Sequence, residues 1–270
     1  LPPGGFSLEM MMRKALLGSL LSLAVLAAPA LAAKCGNTGA GFESWKKSFA
    51  EEAKANGVNG KAIKALMGSS YATATIRADR NQHSFKLSLK QFMAKRGAPA
   101  IVSQGRRLKA ANKALFDRIE AKYGVPAGPL IAIWGMETAF GNFTGSQNVL
   151  SATATLAYDC RRTEFFTEQL YAMLKLVGSG KVSPSAKGAM HGELGQTQFM
   201  PKNVLRFGVG NLNGKEGALA STANFLVGHG WQRGEGYQRG QANFGAIQGW
   251  NAASVYQQAI AIMGKQIDGR

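Results

Sequence analysis

Residues 130–141 read Leu-Ile-Ala-Ile-Trp-Gly-Met-Glu-Thr-Ala-Phe-Gly, an uncharged run broken by one acid, Glu137. At helical spacing Leu130, Ile133, Trp134 and Glu137 occupy positions i, i+3, i+4 and i+7, so the carboxylate shares the apolar face. A carboxyl group held against Trp134 and Ile133 loses hydration when it ionises, so its pKa rises and it can stay protonated near neutral pH. That makes Glu137 a candidate general acid. The same spacing also suits a glutamate at a helix end that reaches solvent or bonds a neighbouring backbone group.

Outward from this run, nearly every segment reads as helix. Pro129 starts the central helix after a turn at Val125-Pro126. Upstream, a segment opened by Pro99 runs through Leu108, Leu115, Phe116 and Ile119 to Tyr123-Gly124. Ser84 to Lys95 places Phe85, Leu89, Phe92 and Met93 on one face and Lys86, Lys90 and Lys95 on the other. Lys61 to Leu66 suggests a short helix, and Phe42, Trp45, Phe49 and Ala53 form a stripe that stops at Gly57. Downstream, a loop over Asn142 to Asn148 leads to a small-residue segment, Ser151 to Tyr158, and then to a helix over Thr163 to Val177. Ser183-Pro184 suggests a further short turn of helix. The last two helices, Ala218 to Val227 and Ala252 to Met263, flank a glycine-rich stretch from Gly228 to Gly249. No strand alternation and no repeat emerges. One mainly α domain over residues 33–270 follows, with little or no sheet.

Ahead of that domain, Arg13 and Lys14 precede an apolar run from Ala15 to Ala28, then Pro29 and the small-residue site Ala30-Leu31-Ala32. That order predicts a cleavable signal peptide ending at Ala32, hence a periplasmic or envelope location; a membrane anchor is the alternative. Leu1 to Glu9 precede three start candidates, Met10, Met11 and Met12, and stay outside the fold reading. Lys34 stands before Cys35 where lipid attachment calls for a small residue, so no lipid anchor is expected.

The chain carries a net +17, and removal of Glu9, Arg13 and Lys14 (+1 together) leaves +16. Such charge draws a protein to polyanions. Export and the absence of finger spacing, heptads or RNP-like motifs argue against nucleic acid and for an acidic wall polymer or an anionic membrane surface. The charge also serves solubility alone. The two cysteines, Cys35 and Cys160, in an oxidising compartment favour one disulfide over two buried thiols. His83, His191 and His229 are scattered, and no zinc-ligand spacing appears, so neither metal nor cofactor is expected. Asp159 reads as a cap or an ion-pair partner of Arg161 or Arg162 rather than a second catalytic acid.

Six blocks together resemble a known family. Trp134 to Gly141 is similar to the W-G-x-E-T-x-[YF]-G signature of lytic murein transglycosylases of the membrane-bound lytic transglycosylase B type. Gly188 to Pro201 resembles the G-S-x-A-G-x-M-G-x-x-Q-F-M-P segment of that family. Tyr123 to Pro126, Thr155 to Asp159 with Arg161-Arg162, Ala223 to Phe225 with Gly230-Trp231, and Trp250-Asn251 with Tyr256 follow in family order, so the likeness covers about Phe42 to Ile267. The resemblance implies a lysozyme-like fold and cleavage of the β-1,4 bond between N-acetylmuramic acid and N-acetylglucosamine in peptidoglycan. It makes Glu137 the acid/base and implies substrate-binding roles for Phe92, Trp134, Gln198, Asn224, Phe225, Trp250 and Asn251. For Trp250 and Asn251, interior packing and helix capping are the plainer alternatives.

Departures from the family pattern carry their own expectations. Phe92, Phe225 and Ala189 replace residues that bear hydroxyls in better known members, which removes hydrogen bonds to a sugar or to the glutamate. Glu193 stands where many relatives have a small residue and reads as a solvent-facing side chain in preference to a second acid of the cleft. The frequent acidic calcium loop of the family is replaced by Val209-Gly-Asn-Leu-Asn-Gly-Lys215, so no calcium is expected. The leading expectation is an exported lytic transglycosylase. A hydrolytic muramidase and a wall-binding protein of low or no activity are the alternatives.

Overall fold

In the computed structural model the described residues are 34–81 and 87–269, so the expected signal peptide and the Ser84 to Lys86 part of the helix expected over Ser84 to Lys95 lie outside them. The apolar stripes form helices α1 (Phe42–Ala55), α2 (Gly60–Met67), α3 (Thr73–Arg80), α4 (Leu89–Lys95), α5 (Ala98–Ala111), α6 (Lys113–Tyr123) and α7 (Ala127–Thr138). Helices α8 (Val149–Tyr158), α9 (Thr163–Gly178), α10 (Pro201–Phe207), α11 (Lys215–Gly228), α12 (Phe244–Trp250) and α13 (Ser254–Asp268) complete the set. The sheet is a single antiparallel pair, β1 (Gln147–Asn148) with β2 (Lys187–Gly188), in which Gln147 faces Gly188. Among the described residues no helix is long and apolar enough to cross a membrane.

Every residue from Ala127 to Met136 is buried, so α7 is apolar on all sides and runs through the core. Its first turn begins before Pro129, at Ala127, and Asp268 at the end of α13 satisfies it: Asp268 Oδ1 accepts the Gly128 N–H at 2.8 Å. Lys109 Nζ, at 3.1 Å, and the Tyr237 hydroxyl, at 2.7 Å, hold that carboxylate in place. Only glycine fits at 128, because a Cβ there would stand 2.2 Å from the Gly264 carbonyl oxygen. Helix α13 therefore lies close along α7, which matters because both helices supply the site.

The second buried helix, α8, packs under α9 and meets the N-terminal segment, where Cys35 and Cys160 form a disulfide. Phe42, Trp45, Tyr71 and Tyr158 pack on one another with ring centroids 5.5–6.1 Å apart.

Several boundaries differ from the expectations. The helix from Pro99 to Tyr123 is two helices, because the Asn112 side chain bonds back to the Leu108 carbonyl (2.9 Å) and its backbone leaves the helical region. Helix α12 lies inside the glycine-rich stretch. Buried Asn243 folds the preceding loop by bonding Gln232 through both its amide and its carbonyl groups, and Glu235 through its amide. Ser183-Pro184 forms a turn, closed by Ser183 Oγ on the Ser185 N–H, in place of a helix. Asp159 pairs with Arg80 (2.8 Å) and also caps the Arg161 N–H, whereas the Arg161 and Arg162 side chains go to Asp79 on α3.

Candidate active site

Thr138 ends α7 and three non-glycine residues with left-handed backbone sit nearby: Ala139 (φ 47°), Phe140 (φ 61°) and, on the facing loop, Gln198 (φ 57°). Such conformations persist only where surroundings fix them, and they gather at functional sites. Gln196 supplies the fixing here. Its side-chain oxygen accepts the Trp134 Nε1–H at 2.9 Å, its amide donates to the Asn213 carbonyl, and its own carbonyl accepts the Thr138 hydroxyl. Phe140 stacks edge-on against Trp134 at 5.4 Å, and the Gly141 N–H donates to Thr138 Oγ1. The Trp-x-x-x-Thr-x-Phe-Gly spacing thus locks the end of α7 to the 196–198 loop.

That lock aims Glu137 into a cavity of about 210 Å³, walled by Glu193, Gln198, Phe199, Met200, Asn203, Phe225, Trp250 and Asn251. Glu137 is partly exposed to the cavity, with protein on its other sides. Two donors converge on one of its oxygens: Trp250 Nε1–H at 3.0 Å and the Tyr256 hydroxyl at 2.7 Å, both to Oε1. Oε2 takes neither bond, so it is the oxygen placed to carry a proton toward the cavity. Burial raises the Glu137 pKa above the ordinary carboxylate value. The bonds from Tyr256 and Trp250 and the Arg96 charge oppose that rise, and Glu193 adds to it. The Tyr256 hydroxyl is pushed well above its usual range by its own burial and by the Glu137 charge. Glu137 thus has one oxygen held by two donors and one that accepts neither of them.

Of the residues singled out in the sequence, Gln198, Phe225, Trp250 and Asn251 line this cavity with Glu137. Gln198 is oriented by its amide, which donates to Gly195 O (2.9 Å) and Thr144 O (3.3 Å). The Asn251 side chain accepts the Ala253 N–H (2.9 Å), bridging α12 and α13 as a capping turn does. Phe225 and Trp250 stack edge-on at 5.0 Å, so packing and lining are one arrangement.

Three others do not reach the cavity. Trp134 is buried behind Gln196. Asn224 turns away to donate to the Phe207 carbonyl. Phe92 is buried beneath Tyr256 (5.6 Å) and the Arg96 guanidinium (5.3 Å), where it supports the tyrosine that holds Glu137. Phe92, Ala189 and Phe225 bring no hydroxyl, and the hydroxyl that bonds Glu137 comes from Tyr256 on α13. Glu193, expected to face solvent, stands on the cavity wall and is half-buried. Sequence reasoning gave no role to Gln196, Asn203 or Arg96, and named Tyr256 without one. A signal for Tyr256 was its place in the Trp250-Asn251 block.

Chemistry, more than volume, marks this site. A hollow of about 780 Å³ along α4 and α5 and one of about 550 Å³ between α6 and α11 are larger, yet neither contains a buried acid. The loop 209–215, which lacks the acids of a calcium site, is tied by Gln196 and by Lys215 Nζ on Asn112 Oδ1. Among the described residues no group of three or more His, Cys, Asp or Glu is placed to hold a metal ion.

Helices packed around one central helix, with a carboxylic acid at the edge of a small polar-and-aromatic cleft, form the mainly α, lysozyme-like fold of lytic transglycosylases. Residues 41–240 match the transglycosylase SLT domain family, SLT_2, and the chain belongs to it. The membrane-bound lytic murein transglycosylase B of Escherichia coli (strain K12) is 34% identical over 122 residues, which is 42% of this chain and 34% of that protein. The match thus spans about a third of that relative's length. Crystal structures of SltB3 from Pseudomonas aeruginosa are similar throughout. The complex with NAG-anhNAM-pentapeptide superposes with a TM-score of 0.77 at 27% identity, over 84% of this chain and 80% of that one. The complex with NAG-NAM-pentapeptide gives 0.78 at 27% identity over 85% and 80%. The Escherichia coli lytic transglycosylase Slt35 in complex with calcium shares the fold, with a TM-score of 0.68 at 20% identity over 87% of this chain and 96% of that one.

Proposed function

We propose that this protein is an exported lytic transglycosylase of the periplasm or cell envelope. It cleaves the β-1,4 bond between N-acetylmuramic acid and N-acetylglucosamine in peptidoglycan and leaves 1,6-anhydro ends. The observation that carries the reading is Glu137, which lines a cavity of about 210 Å³, accepts two hydrogen bonds on Oε1 and neither on Oε2, and sits in a setting that raises its pKa. Support also comes from SltB3, whose structures hold NAG-NAM-pentapeptide and NAG-anhNAM-pentapeptide.

In this reading the Glu137 proton passes from Oε2 to the glycosidic oxygen as the C1–O4 bond breaks. The resulting carboxylate, still held by Tyr256 and Trp250, takes the proton of the muramic acid C6 hydroxyl as O6 bonds to C1. The acid is restored and no water is consumed. One protein carboxylate suffices because the substrate's N-acetyl group and tethered hydroxyl supply the nucleophiles. The tether also gives O6 a large effective concentration. Gln198, Asn203 and Asn251 offer amides to acetamido and hydroxyl groups, and Phe225 and Trp250 offer apolar edges to sugar faces. The basic charge of the chain attracts the acidic wall and, secondarily, an anionic membrane surface.

Purified sacculi digested with wild type and with Glu137→Gln, followed by mass spectrometry of the soluble products, test this. Wild type is expected to release anhydro-muropeptides and the Gln variant to lose release by about 10²- to 10⁴-fold. Equal release by the two would reject the assignment. Sedimentation of wild type with sacculi and no soluble product would favour a wall-binding protein instead, the reading motivated by the hydroxyls lost at Phe92, Ala189 and Phe225.

A further inference from the structure

The site holds a carboxylate that the transglycosylase step does not use. Glu193, between β2 and α10, lines the same cavity as Glu137 but comes from a different segment of the chain. It is fixed in place. Oε2 accepts the His191 backbone N–H at 3.0 Å, and Oε1 lies 3.4 Å from His191 Nδ1. The imidazole in turn has Nε2 3.8 Å from Asp79, a buried acid clamped by Arg161 and Arg162. The loop that carries both residues is closed by Ala189 N–H on the Glu193 carbonyl (3.1 Å) and by the Leu194–Phe199 bridge. A partly buried carboxylate held this firmly in a polar cavity is an oriented base as much as a surface charge.

We infer that Glu193 is a second catalytic carboxylate that activates water, so that this enzyme releases hydrolysed as well as anhydro products from one cleft. The inference rests on the proposed reaction at Glu137. Glu137 protonates the leaving O4 as C1–O4 breaks. Glu193 removes a proton from a water molecule as the water oxygen bonds to C1, which leaves a free hydroxyl at C1. Solvent then takes the proton from Glu193 and returns one to Glu137. A water, which occupies roughly 30 Å³, fits within the cavity of about 210 Å³ that Glu193 lines.

Magnitudes decide the ratio. A tethered hydroxyl with an effective molarity of about 10⁵ M or more outcompetes water at about 55 M by roughly 10³-fold or more when both rely on one base. A positioned general base contributes about 10²- to 10⁴-fold, which brings water back to a measurable share. Anhydro ends therefore remain abundant and hydrolysed ends become detectable.

Digestion of sacculi in water enriched in ¹⁸O reads this directly, because only hydrolysed ends incorporate the label at C1. Wild type is expected to yield labelled reducing ends together with unlabelled anhydro ends. In Glu193→Gln and Glu193→Ala the ratio of labelled to anhydro ends should fall about 100-fold, the low end of a general-base contribution. Because both products form in one digest, that ratio does not depend on how much of a variant is folded. A wild type giving anhydro ends only, or variants that keep the wild-type ratio, would overturn the inference and leave the proposed function intact. Loss of both products in both variants would also overturn it, since Glu193 would then serve both outcomes. Failure of the proposed function looks different: no soluble product from wild type, or undiminished release by Glu137→Gln.

Discussion

Tyr256→Phe removes one oxygen and leaves the ring on Phe92 and Arg96, so it isolates the hydroxyl that donates to Glu137 Oε1 at 2.7 Å. A hydrogen bond to a charged acceptor is worth about 1.5–3 kcal/mol, against about 1 kcal/mol for a neutral one. The loss therefore falls mainly on ionised Glu137. Two consequences follow from the sign. At alkaline pH the variant should melt roughly 3–12 °C below wild type, given about 2–4 °C per kcal/mol for a domain of this size. At acidic pH, with Glu137 protonated, the gap should narrow. In activity, the Glu137 pKa is already raised by burial and partly held down by this bond, so its removal raises it further and moves the alkaline limb of kcat/KM to higher pH. Thermal melts at two pH values and a pH profile of muropeptide release check both. An alkaline limb that stays in place or moves down, with an unchanged melting gap, would refute the claim that Tyr256 stabilises the carboxylate form.

Glu137→Gln should shift stability as well as activity. Because the native pKa is raised, the stabilisation from this group is complete below the unfolded-chain value and is lost as pH rises through the native one, so the Gln variant should gain on wild type in melts at about pH 8 but not at about pH 4. Replacing both Cys35 and Cys160 with alanine opens a link between residues 125 apart in sequence and should cost about 2–4 kcal/mol, measured by denaturant unfolding with and without reductant. Gly128→Ala drives a Cβ to within 2.2 Å of the Gly264 carbonyl, and forced separation of α7 from α13 should cost about 1–3 kcal/mol or more and lower release by displacing Tyr256 from Glu137. Equal melting temperatures for the variant and wild type would show that this contact yields easily.

The central helix and its single acid were legible in the sequence because they depend on local pattern. A run uncharged but for Glu137 and closed by Gly141 specifies a helix with the acid on its apolar face, while the left-handed exit at Ala139 and Phe140 is fixed by Gln196 from a distant loop. Gln198, Phe225, Trp250 and Asn251 were legible through their ordered blocks, and they do meet at one cavity. The proton affinity of Glu137, by contrast, is raised by burial and restrained by hydrogen bonds from Trp250 and Tyr256, which lie 113 and 119 residues further on, and Tyr256 reaches it because α13 packs along α7 at Gly128 and Gly264. Tertiary packing likewise turned Phe92, Trp134 and Asn224 away from the cavity: a buried aromatic on a helix has the same period whether it lines a cleft or supports the wall behind it. It also brought Glu193 inward, since the direction of a side chain in a glycine-rich loop follows from the loop's long-range bonds and not from any period. Local pattern thus placed most of the helices and the acid, and long-range packing decided that α12 forms in the glycine-rich stretch and what surrounds Glu137.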